Sequence, residues 1–77
     1  MRLVVVTPEA PLLDTEVDSV VAPGAEGEFG VLVGHESLLA PLAEGAIRYT
    51  SGGAEQTLEI KGGFAEVSPE GVTVLAD

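Results

Sequence analysis

No cysteine occurs in the 77 residues. Neither disulfides nor thiolate-bound zinc can therefore hold the chain together, and an aliphatic core must do so unless a partner helps. That is compatible with a reducing compartment. Tryptophan is absent too, and the aromatics are limited to Phe29, Tyr49 and Phe64. A ligand- or carbohydrate-binding module displays a larger aromatic platform, and three rings are few enough for a small core to absorb. Cations are the third scarcity. Three Lys+Arg stand against thirteen Asp+Glu, a net charge of −10 that repels phosphate backbones and anionic lipid headgroups, so no nucleic acid is expected as a partner. Long apolar runs are missing as well. Leu3 to Val6 is bracketed by Arg2 and by Pro8-Glu9, too short for a signal-peptide core, and nowhere do about eighteen apolar residues run together to enter a bilayer. The length gives one domain, residues 1–77, which buries only about 60% of the surface its unfolded form exposes and has little room for a large active-site cavity.

What is present reads as strands. Arg2 to Thr7 is compact and β-branched, Pro8 and Pro11 bracket a break, and a second extended segment runs from Leu12 to Ala22. Leu38 to Leu42 is interrupted for helix purposes by Pro41 and leads to Ala46–Thr50. Ser51-Gly52-Gly53 predicts a tight turn into Glu55 to Lys61, where Gln56, Leu58 and Ile60 alternate with Thr57, Glu59 and Lys61, the pattern of a hairpin. Gly62-Gly63 breaks the chain again before Phe64 to Val67. Ser68-Pro69-Glu70-Gly71 then places Pro and Gly at turn positions ahead of Val72 to Ala76. Short strands punctuated this often, with no helix of useful length, predict a small all-β sandwich or barrel.

The stretch from Pro23 to His35, PGAEGEFGVLVGH, carries most of the candidate chemistry. Gly24, Gly27 and Gly30 match neither the dinucleotide fingerprint nor the Walker pattern. The only lysine, Lys61, lies elsewhere, no helix follows, and Glu26 and Glu28 would meet a phosphate with like charge. A reverse turn is the expectation, with no tight nucleotide binding. His35-Glu36 resembles the opening of a zinc-protease motif, but the required second histidine does not exist. No nucleophile elbow surrounds Ser19, Ser37, Ser51 or Ser68, so His35 serves no evident triad, and no catalytic residue, metal or cofactor is assigned. Asp14, Glu16 and Asp18 alternate as a calcium loop opens. However, Ser19 stands where that loop needs glycine and Ala25 where it needs a bidentate glutamate, so the three carboxylates read as one solvated strand face.

Four ordered motifs add a family resemblance that covers essentially the whole chain: Gly24-x-x-Gly27-Glu28-Phe29-Gly30, Gly34-His35 with Leu38-Leu39 after it, Gly62-Gly63-Phe64, and Val72-Thr73-Val74-Leu75-Ala76-Asp77. In this order and spacing they closely resemble the N-terminal domain of the epsilon subunit of F-type ATP synthases, called delta in mitochondria. The resemblance implies a ten-stranded β-sandwich of two five-stranded sheets at the foot of the central stalk, docked on gamma and the c ring. It implies a non-catalytic rotor subunit that couples proton flow to ATP synthesis, on the cytoplasmic face of the bacterial inner membrane. Glu26, Gly27, Glu28, Phe29, Gly30, Gly34 and His35 become the expected partner-binding residues, with Glu28 nearest the polar loops of the ring. Two departures stand out. The family usually has proline where this chain has Val33, and a small residue then proline where it has Glu36-Ser37. The family's C-terminal helical hairpin is also absent from these residues, so no hairpin-type inhibition or ATP-controlled release is expected of them. The alternative from another class is a free-standing acidic β-sandwich that binds a small ligand.

Overall fold

The computed structural model describes residues 1–34 and 36–77. Nine strands form among them: β1 Arg2–Val6, β2 Pro11–Glu16, β3 Ser19–Gly24, β4 Gly27–Leu32, β5 Leu38–Leu42, β6 Gly45–Ser51, β7 Ala54–Ile60, β8 Gly63–Ser68 and β9 Gly71–Ala76. They divide into a five-stranded half, β2-β1-β9-β8-β5, and a four-stranded half in which β3 pairs with both β4 and β6 and β7 follows β6. One backbone pairing, Gly24 opposite Leu42, joins β3 to β5 and makes the two halves a single hydrogen-bonded sheet. The expected all-β class is present. The described strands number nine and split five and four, instead of ten split five and five, because the chain beyond β4 turns at Val33-Gly34 and lays no further strand against it.

Both halves direct alternate residues at one core, as the two-residue period of a strand requires. Leu3 and Val5 of β1, Val20 and Ala22 of β3, Ile47 and Tyr49 of β6, Ala65 and Val67 of β8, and Val72 and Val74 of β9 are all buried in the same cluster. The first and last strands lie side by side and parallel, with Leu3 opposite Val72 and Val5 opposite Val74. That pairing ties the two ends of the chain together. The expected hairpins form where the turn chemistry placed them, Ser51 opposite Ala54 around Gly52-Gly53 and Ser68 opposite Gly71 around Pro69-Glu70.

The expected extended segment from Leu12 to Ala22 is two strands. Val17 is buried and its N–H donates to the Met1 carbonyl, while the N–H of Asp18 donates to the Thr50 carbonyl of β6. The chain crosses from one half to the other between these bonds, so Asp18 does not continue the carboxylate face of Asp14 and Glu16. Those two lie on the exposed side of β2. Asp14 is not simply solvated: it sits opposite Val4 and accepts from the Arg2 guanidinium, Nε at 2.7 Å. That hydrogen bond, offset in part by desolvation, holds the Asp14 carboxyl below its ordinary value and pushes Arg2 up.

Candidate functional site

The β3–β4 hairpin gathers the first group of expected site residues. Its loop is Ala25-Glu26, closed by Gly24 opposite Gly27, so the run of spaced glycines is a reverse turn as its sequence predicts. Two different demands select glycine here. Gly27 has φ +128°, a backbone that side chains rarely adopt. At Gly24 the reason is space, because an added Cβ would stand 2.5 Å from the Gly27 carbonyl oxygen and 2.9 Å from the Phe29 ring. The hairpin tip is tied to β5 by the Ala25 N–H donating to the Pro41 carbonyl at 2.9 Å. Beneath it Phe29, opposite Ala22, is half-buried against the core. A half-open depression of ≈ 250 Å³ between the tip and β5 is lined by Gly24, Glu26, Phe29, Ala40 and Pro41 among others. It falls below the range of about 300–1,000 Å³ usual for sites that enclose a small ligand.

Glu28, Gly30 and Leu32 point to the outer face of β4, alternating with Phe29 and the buried Val31. Glu28 accepts from Arg48 Nη2 of β6 at 3.1 Å, so the guanidinium reaches across β3. Gly30 lies in the row Gly30, Val21, Arg48 across three strands and contributes no side chain there.

Gly34 lies at the far end. Gly27 and Leu32 bound β4, and five residue steps of extended chain put them about 17 Å apart. Glu26, Gly27, Glu28 and Phe29 are therefore brought together, Gly30 is intermediate, and Gly34 belongs to the β4–β5 turn at the opposite end. His35 lies outside the described residues. Around that turn stand four apolar side chains that the sequence reading placed in strands or motifs and not in the site: Leu32 66%, Val33 69%, Leu38 43% and Leu39 65% exposed.

A second surface was missed entirely. Pro41, Phe64, Leu75, Val6 and Pro11 are consecutive cross-strand partners over β5, β8, β9, β1 and β2, and form one apolar row across the outer face of the five-stranded half. Phe64, expected to be absorbed by the core, is 51% exposed, whereas Tyr49 is buried. The signal was available: Glu66 lies two residues beyond Phe64, and residues two apart on a strand share a face. Among the described residues no group of three side chains is assembled to hold a metal ion, and no helix is long and apolar enough to cross a membrane.

A nine-strand sheet wrapped on one core, with apolar side chains displayed at a turn and along a row, defines a small domain of the β-sandwich class. The family follows from comparison: the chain belongs to the ATP synthase Delta/Epsilon chain, beta-sandwich domain family, whose model matches residues 1–77. An ATP synthase epsilon chain of Rhodopseudomonas palustris (strain BisB5) is 51% identical over 72 residues, which cover 94% of this chain and 53% of that protein. An ATP synthase epsilon chain of Caulobacter vibrioides is 49% identical over 72 residues, with 94% and 84% covered. The chain thus spans about half the length of the first of these relatives and most of the second. Among solved structures, a chain of the Euglena gracilis mitochondrial ATP synthase (OSCP/F1/c-ring, rotational state 1) superposes with TM-score 0.86 at 34% identity, covering 96% of this chain and 48% of that one. A chain of the Tetrahymena thermophila mitochondrial ATP synthase central stalk and c ring has TM-score 0.78 at 13% identity, covering 97% and 61%, and shares the fold.

Proposed function

We propose that this domain is a non-catalytic rotor element of an F-type ATP synthase. In this reading it docks on the gamma shaft and the c ring at the cytoplasmic face of the membrane and couples proton flow to ATP synthesis. The observation that carries the reading is that a domain with a filled core still displays, among the described residues, seven large apolar side chains, Leu12, Leu32, Val33, Leu38, Leu39, Phe64 and Leu75. Four of these, Leu32, Val33, Leu38 and Leu39, flank in sequence the β4–β5 connection that the resemblance places against gamma and the ring. Apolar groupings on a surface mark sites that another protein covers. The epsilon-chain relatives and the Euglena gracilis neighbour, part of an F1/c-ring assembly, support membership in such a complex.

The physical role needs no chemistry from this chain. Torque passed from a ring to a shaft calls for an element that deforms little, and close-packed strands joined by short connections meet that need. An interface under sustained load would bury at or above the standard size of about 1,600 Å². The hairpin tip supplies Glu26, Gly27, Glu28 and Phe29, with Glu28 toward the polar loops of the ring, and the β4–β5 turn supplies the apolar contact. No tight nucleotide site is part of this reading.

Washed membranes of the source cell test it directly. The protein should sediment with the ATP synthase subunits and come off only when the complex is dissociated. Loss in the first wash, with the synthase retained, would return the domain to the class of free-standing binding modules.

A further inference from the structure

Resting on that reading, we infer that Arg48 is a positioning residue of the docking surface: it holds the Glu28 carboxylate by one oxygen so that the other is offered to a cationic side chain of the partner. Of the three Lys+Arg in the chain, Arg48 alone stands on a strand of the four-stranded half. It spends its charge on Glu28 across the intervening strand, through Nη2 to Oε1 at 3.1 Å. Among the described residues the hydrogen bond goes to Oε1 alone, and none reaches Oε2. Both groups stay accessible, Arg48 at 40% and Glu28 at 59%.

The arrangement fits recognition better than stability. An exposed pair of this kind contributes little to folding, since solvent screens it and both long side chains must be ordered. It does fix where a carboxylate points. Without Arg48 the exposed Glu28 side chain would sample several rotamers. A partner cation would then have to order it on binding, at an entropic cost that pre-organisation removes. Held by Arg48, the carboxylate accepts a second charge-assisted hydrogen bond with no rearrangement. In the row of Arg48, Gly30 adds no side chain beyond Val21, which leaves the β4 position beside Glu28 open. The partner this geometry fits is a lysine or arginine on a polar loop, and an acidic loop would be rejected.

The test uses the 77-residue chain and the detergent-solubilised synthase from the same cell stripped of this subunit, with rebinding affinity measured from low to high salt. Arg48→Gln should weaken rebinding about two- to fivefold at low salt, as Glu28→Gln does. The double variant should be no weaker than either single one, and Arg48→Lys should recover part of the loss. Melting temperatures should stay together throughout, which a merely structural role would not give. If Glu28→Gln weakens rebinding and Arg48→Gln does not, the role of Arg48 is overturned and the docking role of Glu28 stands. Losses that add in the double variant, or that follow a fall in melting temperature, also overturn it. If neither substitution changes rebinding, Glu28 leaves the docking surface and this inference falls with it.

Discussion

The seam where β1, β9 and β8 meet and the two ends of β4 are built on opposite principles. At the seam the inward side chains are aliphatic and closely packed: Leu3, Val5, Val72, Val74, Ala65 and Val67 are all 2% exposed or less. The backbones there also run so close that Gly63 has no space for a methyl group. At the ends of β4 the exposed groups are Leu32 and Val33 at one end and Glu28 at the other, and the glycines Gly27 and Gly34 have nothing within 4 Å of where a Cβ would stand. Hydrophobicity therefore serves two purposes in one small domain. Composition does not separate them; only the direction of each side chain does.

Substitutions in the two regions should separate stability from assembly, and the largest effect belongs to the seam. Gly63→Ala forces a Cβ to within 2.1 Å of the Leu75 carbonyl oxygen at a φ of +129°. Urea unfolding should show a loss of about 3 kcal/mol or more, or no folded protein at all. Leu3→Ala empties a fully buried position next to Val72 and should cost about 2–5 kcal/mol in the same measurement. Either variant folding with unchanged stability would break the contrast.

At the other region the sign of the comparison reverses. Leu32→Ser combined with Val33→Ser should leave stability within about 0.5 kcal/mol at each site, yet weaken rebinding to the stripped complex by about tenfold or more if the turn anchors the interface. The smallest effect concerns an exposed ion pair between β1 and β2. The Asp14 carboxyl is held below its ordinary value by the hydrogen bond from Arg2. Its folded value lies below its unfolded one, so the stabilisation is present above the unfolded value of about 4 and is lost as pH falls through the folded value. Melting curves of the wild type and of Asp14→Asn should therefore differ slightly at neutral pH and converge in acid. A gap that widens toward low pH would reverse the assignment.

How much of this was legible beforehand depended on whether the information is local. The turns at Gly52-Gly53 and Pro69-Glu70 and the alternation of Gln56, Leu58 and Ile60 are short-range signals, and the strands they bound form as read. The break at Val17-Asp18 was not legible. Val17 continues an extended apolar pattern, and what ends β2 is a pair of hydrogen bonds to Met1 and Thr50, both distant in sequence. The parallel pairing of β1 with β9 is hidden for the same reason. Within the candidate site, the hairpin was readable from its glycines, but its separation from Gly34 by the length of β4 was not, because proximity in sequence looks like proximity in space. The reach of Arg48 to Glu28 spans twenty residues and three strands, and only the register reveals it.

The β4–β5 turn should be covered by the rotor when the subunit is in place. A photo-crosslinking amino acid at position 33, where Val33 is 69% exposed and a substitution leaves the core untouched, tests it most directly in the assembled complex on the membrane. A crosslinked product with the shaft or the ring subunit is expected, lost when the complex is dissociated before irradiation. A subunit that remains bound to the complex yet yields no product from that position would contradict it.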